Sequence, residues 1–325
     1  MENSNLRDKK IITNPAFKDV IEAHRRIAPF IHNTPVSSSK SINNLCNAEI
    51  YFKCENFQKV GAFKFRGASN AIRLLNQDML NKGVATHSSG NHAAALALAA
   101  SMLDTKCYVV MPESAPQIKK DAVKSYGAEI HFCEPTLEAR ERTLKAIVEK
   151  TGARFIHPYN NPDIIAGQGT AALELMAEIK GMDAILAPVG GGGLLSGTAI
   201  SARTLKPCIQ IIGVEPEMAD DAYRSFEARQ IMPSVNPKTI ADGLLTSLGN
   251  YTFEVIIALV DKILTVSEQN IIQAMRMVWE RMKIIIEPSS AVPLAAILQH
   301  NELFAKKKIG IILSGGNVDL SKLPF

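Results

Sequence analysis

Short runs of β-branched and apolar residues alternate with longer alanine-, leucine- and lysine-rich runs along most of this chain. Such alternation predicts βαβ units, and therefore a mostly parallel sheet with helices on both faces. We expect nine strands, at Ile50–Cys54, Val84–His87, Cys107–Met111, Glu129–Cys133, Phe155–His157, Ala184–Val189, Ile209–Val214, Lys262–Val266 and Ile309–Leu313. We expect helices between them, among others at Asn91–Met102, Gln117–Ser125 (with Pro116 at its start), Leu137–Glu149 and Gly169–Lys180. The fold class is therefore expected to be α/β.

The chain has 325 residues, which is enough for two domains. The predicted strands between Val84 and Pro158 are short, so we expect residues 79–159 to form a small domain inserted into a large one made of residues 1–78 and 160–325. A net charge of +4 comes from dispersed residues, and the densest basic cluster, at 306–308, is short. We therefore expect no nucleic-acid partner.

The cysteines and the start of the chain bear on the compartment. Five cysteines are widely spaced and form no zinc-binding pattern, which favours reduced thiols. There is no run of 18 apolar residues, and the polar start Met1-Glu2-Asn3-Ser4 lacks the core of a signal peptide. A cytoplasmic protein without membrane association is expected.

Lys64 is framed by two aromatic residues, Phe63 and Phe65, just after a glycine turn at Gly61. Apolar surroundings disfavour the ammonium form of a lysine, and its neutral amine is a nucleophile. A neutral amine is what a Schiff base with an aldehyde cofactor requires. The alternative is a lysine whose stem lies along a helix face with its head in water. The tripeptide alone leaves both interpretations open.

Four consecutive glycines, Gly190 to Gly193, follow a predicted strand and open a predicted helix. Successive peptide N–H groups at a helix start favour an anion, so this loop is expected to bind a phosphate. A nicotinamide-dependent dehydrogenase is the competing interpretation, because Gly191–Ser196 nearly matches the dinucleotide-binding pattern and Glu215 ends the next strand.

Two further turns follow predicted strands, at Ser88–His92 and at Ser314–Asn317. Helix N–H groups after the first turn would suit a carboxylate, and Ser314 could present a hydroxyl to a ring nitrogen. Open α/β sheets bind ligands beyond the carboxyl ends of their strands, so these turns and the glycine loop are expected to converge on one site.

Together these segments resemble the fold-type II pyridoxal-phosphate enzymes, specifically the serine/threonine dehydratase and serine racemase family. The resemblance runs along nearly the whole chain and rests on Phe63–Ala68, Ser88–His92, Ala166–Thr170, Gly190–Gly193, Ile286–Pro288 and Ser314–Asn317. It implies a tryptophan synthase β-like fold, with parallel-rich sheets in a large and a smaller domain, and a homodimer. It also implies pyridoxal 5'-phosphate as the cofactor and an amino acid as the substrate.

The resemblance also implies roles for single residues. Lys64 would bind the cofactor and remove the α-proton, and Phe63 would pack against the pyridine ring. Asn91 would hydrogen-bond the ring hydroxyl, and Ser314 would face the pyridine nitrogen. The glycines that would cradle the phosphate are Gly190, Gly191, Gly192 and Gly193.

The turn after the second predicted strand would hold the substrate carboxylate, through Ser88, Ser89, Gly90, Asn91 and His92. Ser89 matches the residue that serves racemizing members as acid and base on the opposite face of the cofactor.

The run from Gly213 to Asp221 resembles the divalent-metal loop of the racemase and hydroxyaspartate-dehydratase branch. Glu215, the carbonyl of Ala219 and Asp221 would bind Mg²⁺ or Ca²⁺. The alternative is a helix start rich in acids that complements the helix dipole.

The activity expected first is deamination of L-threonine or L-serine to the 2-oxo acid, by β-elimination of water followed by release of ammonia. The alternatives are serine racemization, dehydration of 3-hydroxyaspartate, and a homologue that holds the cofactor without turnover. Tyr159 and Ala93 resemble the dehydratases. Arg140 matches an arginine that meets acidic substrates, although a surface helix residue is the simpler interpretation.

Overall fold

The computed structural model describes residues 15–88, 90–115 and 117–325. These residues form ten strands: β1 Val36–Ser38, β2 Glu49–Cys54, β3 Val84–His87, β4 Cys107–Pro112, β5 Glu129–Cys133, β6 Arg154–Phe155, β7 Ala184–Pro188, β8 Gln210–Pro216, β9 Lys262–Val266 and β10 Lys308–Leu313. The helices are α1 Phe17–Ile27, α2 Lys40–Cys46, α3 Lys64–Arg73, α4 Gln77–Lys82, α5 Asn91–Ser101, α6 Gln117–Ser125, α7 Leu137–Thr151, α8 Pro162–Glu178, α9 Gly193–Leu205, α10 Asp221–Ala228, α11 Asn250–Leu259, α12 Glu268–Met282, α13 Pro288–Gln299 and α14 Asn301–Phe304.

The strands form two sheets. The larger has six strands in the order β1-β2-β10-β7-β8-β9, and only β1 is antiparallel to its neighbour. The smaller has four parallel strands in the order β5-β4-β3-β6. The predicted α/β fold with parallel-rich sheets is confirmed. The boundaries of the large domain (residues 1–78 and 160–325) and of the small domain (79–159) stay a prediction.

All nine predicted strands are present, with ends that differ by no more than two residues. β1 was not predicted, because three residues are too few to show an alternating pattern. α8 begins at Pro162, well before the predicted Gly169, because Asn161 caps it by accepting the N–H groups of Asp163 and Ile164 at 2.8 and 3.2 Å. The predicted role of Pro116 lies outside the described residues.

Apolar side chains fill both faces of the larger sheet. One core cluster lies between the sheet and helices α12 and α13. A second lies on the other face, against α8, α9 and α11. Since both faces are covered, the central strands are buried and their carboxyl ends are the positions where loops can gather.

Two close helix contacts depend on glycine. A Cβ on Gly167 of α8 would lie 2.6 Å from the Cα of Gly67 in α3, and a Cβ on Gly197 of α9 would lie 2.4 Å from the backbone nitrogen of Gly169. No side chain fits at either distance, so the glycines in Ala166–Thr170 let α8 approach both neighbours. The contact with α3 fixes the helix that begins at Lys64.

All five cysteines are free, and four of them are buried (Cys46, Cys54, Cys107 and Cys133). Burial raises the pKa of Cys46 and of Cys54 to about 11, so neither is a reactive thiolate near neutral pH. In the described ranges no helix combines the length and the apolar character needed to cross a membrane. The cytoplasmic location stays a prediction, and the polar start of the chain lies outside the described residues.

Candidate active site

The loops that follow β2 and β10 are joined at the carboxyl edge of the larger sheet. The N–H of Phe63 donates to the carbonyl of Ser314 at 2.9 Å, and the N–H of Gly316 donates to the carbonyl of Gly61 at 2.9 Å. The sequence predicted that the Ser314–Asn317 turn converges with the Ser88–His92 turn and the glycine loop. These two hydrogen bonds place the same turn directly against the segment before Lys64.

Lys64 is the first residue of α3, and its amine lies in the interior. Its Nζ donates to the carbonyl of Pro158 at 2.8 Å and lies 5.1 Å from the centre of the Phe63 ring. Burial lowers the pKa of Lys64 to about 8, although the nearby Glu287 carboxylate acts in the opposite direction. At pH 7 roughly a tenth of the molecules then carry the neutral amine, against about one in three thousand for an ordinary lysine. The amine does not point into bulk solvent.

The glycine loop is buried between β7 and α9, and Gly192 has φ +86°. No hydrogen bond in the described part of the chain uses the N–H of Gly190, Gly191, Gly192 or Gly193 as a donor. Unpaired buried N–H groups are rare and costly unless a ligand accepts them. The N-terminus of α9 adds the positive end of its dipole, so the loop suits a phosphate.

The segment from His157 to Tyr159 connects the glycine loop with Lys64. A Cβ on Gly191 would lie 2.3 Å from the Tyr159 ring, which therefore packs directly on the loop. Lys64 donates to Pro158, one residue earlier. The His157 ring meets Tyr159 edge-on at 4.6 Å, and its Nδ1 accepts the N–H of Asn160 at 2.9 Å. Burial lowers the pKa of His157 to about 4, so its ring is neutral in the working range.

Asn91, the first residue of α5, contacts a carboxylate to which the sequence assigned no role. Its Nδ2 lies 3.0 and 3.1 Å from the two carboxylate oxygens of Glu287, and its Oδ1 accepts from Asn317 Nδ2 at 2.9 Å. Burial raises the pKa of Glu287 to about 7. The only sequence signal for Glu287 was its place in the run Ile286–Pro288.

Ser314 lies at the end of β10 and is 3% exposed. Its Oγ lies 3.0 Å from the Oγ of Ser290, which also bonds the N–H and the carbonyl of Gly315. A serine hydroxyl can donate or accept but carries no charge. Ser314 therefore cannot hold a ring nitrogen protonated as an aspartate would.

The turn after β3 is short. The N–H of Ser88 donates to the carbonyl of Val110 at 3.2 Å, and its Oγ accepts from the N–H of Gly90 at 3.4 Å. The His92 side chain is buried, with Nε2 3.3 Å from the carbonyl of Ile156. Burial, and then the charge of Lys64, lowers the pKa of His92 well below its usual range. The backbone N–H of His92 lies in the first turn of α5, and the predicted contact of this residue with a substrate carboxylate stays a prediction. The predicted acid/base residue, Ser89, lies outside the described residues.

A buried ion-pair cluster holds α3 in place. The Arg66 guanidinium donates to Glu55 at 2.7 and 2.8 Å and to both oxygens of Glu174 at 2.7 Å. The amine of Lys53 lies 2.7 Å from Glu174. Two cations and two anions make the cluster neutral, and every Arg66 nitrogen is paired. Arg66 lies two residues after Lys64, so the cluster limits how the amine can move.

The predicted metal loop lies at the end of β8. The oxygens of Glu215 accept the N–H groups of Ala222 and Tyr223 at 3.1 and 2.8 Å, so Glu215 caps α10. Asp221 is buried, and neither of its carboxylate oxygens accepts a hydrogen bond of good geometry in the described part of the chain. The nearby Ser234 hydroxyl lowers its pKa only in part.

These two acids carry strongly shifted pKa values. Burial raises the pKa of Asp221 to about 6, and burial with the Asp221 charge raises that of Glu215 well above its usual range. Among the described residues no three His, Cys, Asp or Glu side chains form a metal-binding cluster. Two carboxylates, a carbonyl and water would still suit Mg²⁺ or Ca²⁺, so the residues present fit a hydrated hard cation.

Arg140 lies in the first turn of α7 and is half-buried. Its Nε is buried without a hydrogen-bond partner, and Arg140 forms no ion pair with any described residue. Burial lowers the pKa of His87, the Glu141 carboxylate acts in the opposite direction, and the charge of Arg140 adds to the lowering. The His87 ring lies edge-on to His157 at 6.1 Å. The Arg140 side chain is therefore partly buried and is not a fully exposed surface residue.

A desolvated lysine, a buried glycine turn with unpaired N–H groups and a neutral serine at the end of β10 define a pyridoxal-phosphate enzyme of fold type II. The chain belongs to this family, since the family model described as pyridoxal-phosphate dependent enzyme matches residues 27–315. The residues present fit the cofactor: the glycine loop offers N–H donors to its phosphate, and Lys64 offers an amine to its aldehyde.

Similar proteins fall into the dehydratase and racemase branches. The chain is 51% identical to the β-hydroxyaspartate dehydratase of Paracoccus denitrificans, over 96% of this chain and 99% of that protein. It is 54% identical to the serine racemase of Dictyostelium discoideum, over 94% and 96% of the two chains. Among solved structures, the T.th. threonine deaminase is 44% identical, with a TM-score of 0.91, over 95% of this chain and all of that one. The protein is thus a pyridoxal-phosphate enzyme of the dehydratase and racemase family.

Proposed function

We propose that the protein is a dehydratase of 3-hydroxyaspartate. The substrate would lose water to give an enamine, which becomes an imine, and hydrolysis of the imine would take up one water and release ammonia and oxaloacetate. One observation carries this choice: Arg140 is half-buried, its Nε is buried without a hydrogen-bond partner, it has no ion-pair partner among the described residues, and its charge lowers the pKa of His87. 3-Hydroxyaspartate has a second carboxylate that serine and threonine lack, and an unpaired arginine suits it. The similarity to the Paracoccus denitrificans β-hydroxyaspartate dehydratase supports the same choice.

Bound pyridoxal phosphate supplies an electron sink for the negative charge left at the substrate α-carbon. The chain would bind and orient the reactants and move one proton. The N–H groups of Gly190 to Gly193 would hold the cofactor phosphate, and Asn91 would face its ring oxygen. Lys64, with a pKa of about 8, would accept the α-proton as a general base suited to neutral pH. The uncharged Ser314 would face the ring nitrogen without holding it protonated, and this would favour rapid loss of the β-hydroxyl.

The decisive experiment compares two arginines of the same helix. Arg140→Met should lower kcat/KM for 3-hydroxyaspartate by roughly 10- to 100-fold, because a charged hydrogen bond is lost, and should leave kcat/KM for L-serine unchanged. Arg142→Met is the matched control, because Arg142 is exposed and, within the described ranges, pairs with Glu138 at 3.8 Å. An equal loss on both substrates, or a wild-type enzyme inactive on 3-hydroxyaspartate, would overturn the assignment.

Serine racemization is the second candidate, supported by the 54% identity to the Dictyostelium discoideum serine racemase. Here Ser89 would return a proton on the face opposite Lys64. Ser89→Ala should then lower racemization far more than deamination of L-serine, and equal losses would contradict a dedicated second base. Deamination of L-threonine and L-serine, the activity expected first from the sequence, has weaker support, at 44% identity to a threonine deaminase.

We further propose that Glu215, the carbonyl of Ala219 and Asp221 bind Mg²⁺ or Ca²⁺ together with water. The support is the pair of buried acids with raised pKa values and the unsatisfied oxygens of Asp221. A cation there would remove the cost of burying two carboxylates side by side. The homodimer implied by the resemblance stays a prediction.

A further inference from the structure

We propose that Glu287 is a positioning residue that fixes the carboxamide of Asn91 in the cofactor pocket, with Asn317 as its partner in that task. The proposal rests on the proposed function in two respects only: Asn91 faces the cofactor ring oxygen, and Lys64 is the lysine that captures the cofactor.

A carboxamide has a donor end and an acceptor end, and it binds a ligand correctly in only one of its two orientations. Asn91 Nδ2 lies 3.0 and 3.1 Å from the oxygens of Glu287, which only accept when the acid is ionised. Asn91 Oδ1 accepts from the Nδ2 of Asn317 at 2.9 Å. The flipped carboxamide would place the Asn91 oxygen against the Glu287 carboxylate and the Asn91 amide NH₂ group against that of Asn317. Glu287 and Asn317 therefore specify one orientation, in which one hydrogen of Asn91 Nδ2 is left for an acceptor in the pocket.

The Glu287 carboxylate is itself held in place. It is 4% exposed, its Oε2 accepts the N–H of Asn317 at 3.2 Å, and its own N–H donates to the carbonyl of Gly315 at 3.0 Å. A Cβ on Gly315 would lie 2.9 Å from Glu287 Oε1, so the turn leaves no space for the carboxylate to rotate away. Glu287 thus joins three segments: the Ser314–Asn317 turn, the start of α5 and the start of α13.

Asn317 extends this link to the segment before Lys64. Its Nδ2 also donates to the carbonyl of Val60 at 2.7 Å. Val60 has φ +58°, a left-handed conformation that is strained for a β-branched residue, and Gly61 follows with φ +68°. The hydrogen bond from Asn317 helps to hold the turn that aims Lys64, so the orientation of Asn91 and the position of Lys64 depend on the same side chain.

The charge of Glu287 also reaches Lys64. The charged groups facing Glu287 are Asp242, which raises its pKa, and Lys119, which lowers it and pairs with Asp242. The Glu287 carboxylate raises the pKa of Lys64 against the larger effect of burial. Removing the charge while keeping the shape should therefore lower the pKa of Lys64 below its value of about 8.

The test uses apoenzyme and pyridoxal phosphate, with the rate of capture followed by visible absorbance across pH, the apparent Kd, and kcat and KM for the substrate. In Glu287→Gln the pH midpoint of capture should fall, and the Kd should rise roughly tenfold or more, because a charged hydrogen bond is lost. In Glu287→Asp the charge remains but the carboxylate is shorter, so the Kd should rise while the midpoint stays. Asn317→Asp places an acceptor against Asn91 Oδ1 and should raise the Kd at an unchanged fold.

Asp183→Asn is the control, because the Asp183 carboxylate accepts the N–H of Lys308 at the amino end of β10, whereas the candidate site lies at the carboxyl end of that strand. A Glu287→Gln enzyme with the wild-type midpoint and Kd would overturn the proposal, as would the same changes in Asp183→Asn. If Glu287→Gln does not fold, the Asn317→Asp result decides alone. Failure of the proposed function is a separate result: the wild-type enzyme would not capture pyridoxal phosphate at Lys64 or would not act on 3-hydroxyaspartate.

Discussion

Replacement of Arg66 by methionine should destabilise the protein more than almost any other single change. Arg66 is fully buried and donates four hydrogen bonds of 2.7 to 2.8 Å to Glu55 and Glu174. Arg66→Met leaves Lys53 as the remaining lysine or arginine of this cluster beside two buried carboxylates, so one negative charge is no longer compensated within the cluster. Breaking such a buried pair costs about 3–5 kcal/mol. A typical domain has about 5–15 kcal/mol of stability, so a large share is lost.

The assay is urea unfolding of the apoenzyme at pH 7, with the free energy of unfolding compared among variants. Arg66→Met with Glu55→Gln removes one charge of each sign, and should recover more than half of the loss because the cluster is neutral again. Arg276→Met, which breaks an exposed pair with Glu280, should change stability by less than about 1 kcal/mol. A single Arg66→Met variant as stable as the Arg276→Met control, or a double variant less stable than the single one, would refute the reasoning.

Two further predictions follow from shifted pKa values. The rate at which apoenzyme captures pyridoxal phosphate should rise up to about pH 8 and then level off, because the neutral amine of Lys64 is the reactive form. The Lys64→Ala variant should give no visible absorbance band. A capture rate that keeps rising to pH 10 would contradict a desolvated amine. The pKa of Asp221 in the folded state, about 6, lies above its usual value near 4, so the folded state binds this proton more tightly than the unfolded state does. With a chelator present, the free energy of unfolding should therefore fall by roughly 2 kcal/mol as the pH rises from 4 to 6. Glu215, whose pKa is also raised, should extend this loss to higher pH. Mg²⁺ or Ca²⁺ should restore this stability at pH 7 in the wild-type protein but not in Asp221→Asn; equal effects of the cation on both proteins would exclude Asp221 as a ligand.

Features that are local in sequence were predictable here. The strands are contiguous β-branched runs, and Lys64 lies between Phe63 and Phe65, so both features appear in a short window of sequence. The contact between Asn91 and Glu287 joins positions 196 residues apart, and no local sequence pattern predicts it. The same holds for the Arg66 cluster, where the sequence gives only four charged residues among many. Arg140 was ambiguous for a related reason: helix position is readable from sequence, but which side of a helix faces a pocket depends on how α7 packs.

The order of strands in the larger sheet has a consequence for biosynthesis. β10 lies between β2 and β7, with Ile309 paired to both Ile50 and Ala184, so a strand made last completes the middle of the sheet. Until β10 has been translated, β2 and β7 each have an unpaired strand edge, because β10 is the strand that pairs with both of them. The four strands between Val84 and Phe155 need no such late arrival. Translation stalled before residue 308 should therefore yield an aggregation-prone nascent chain in which only the smaller sheet has all its strands.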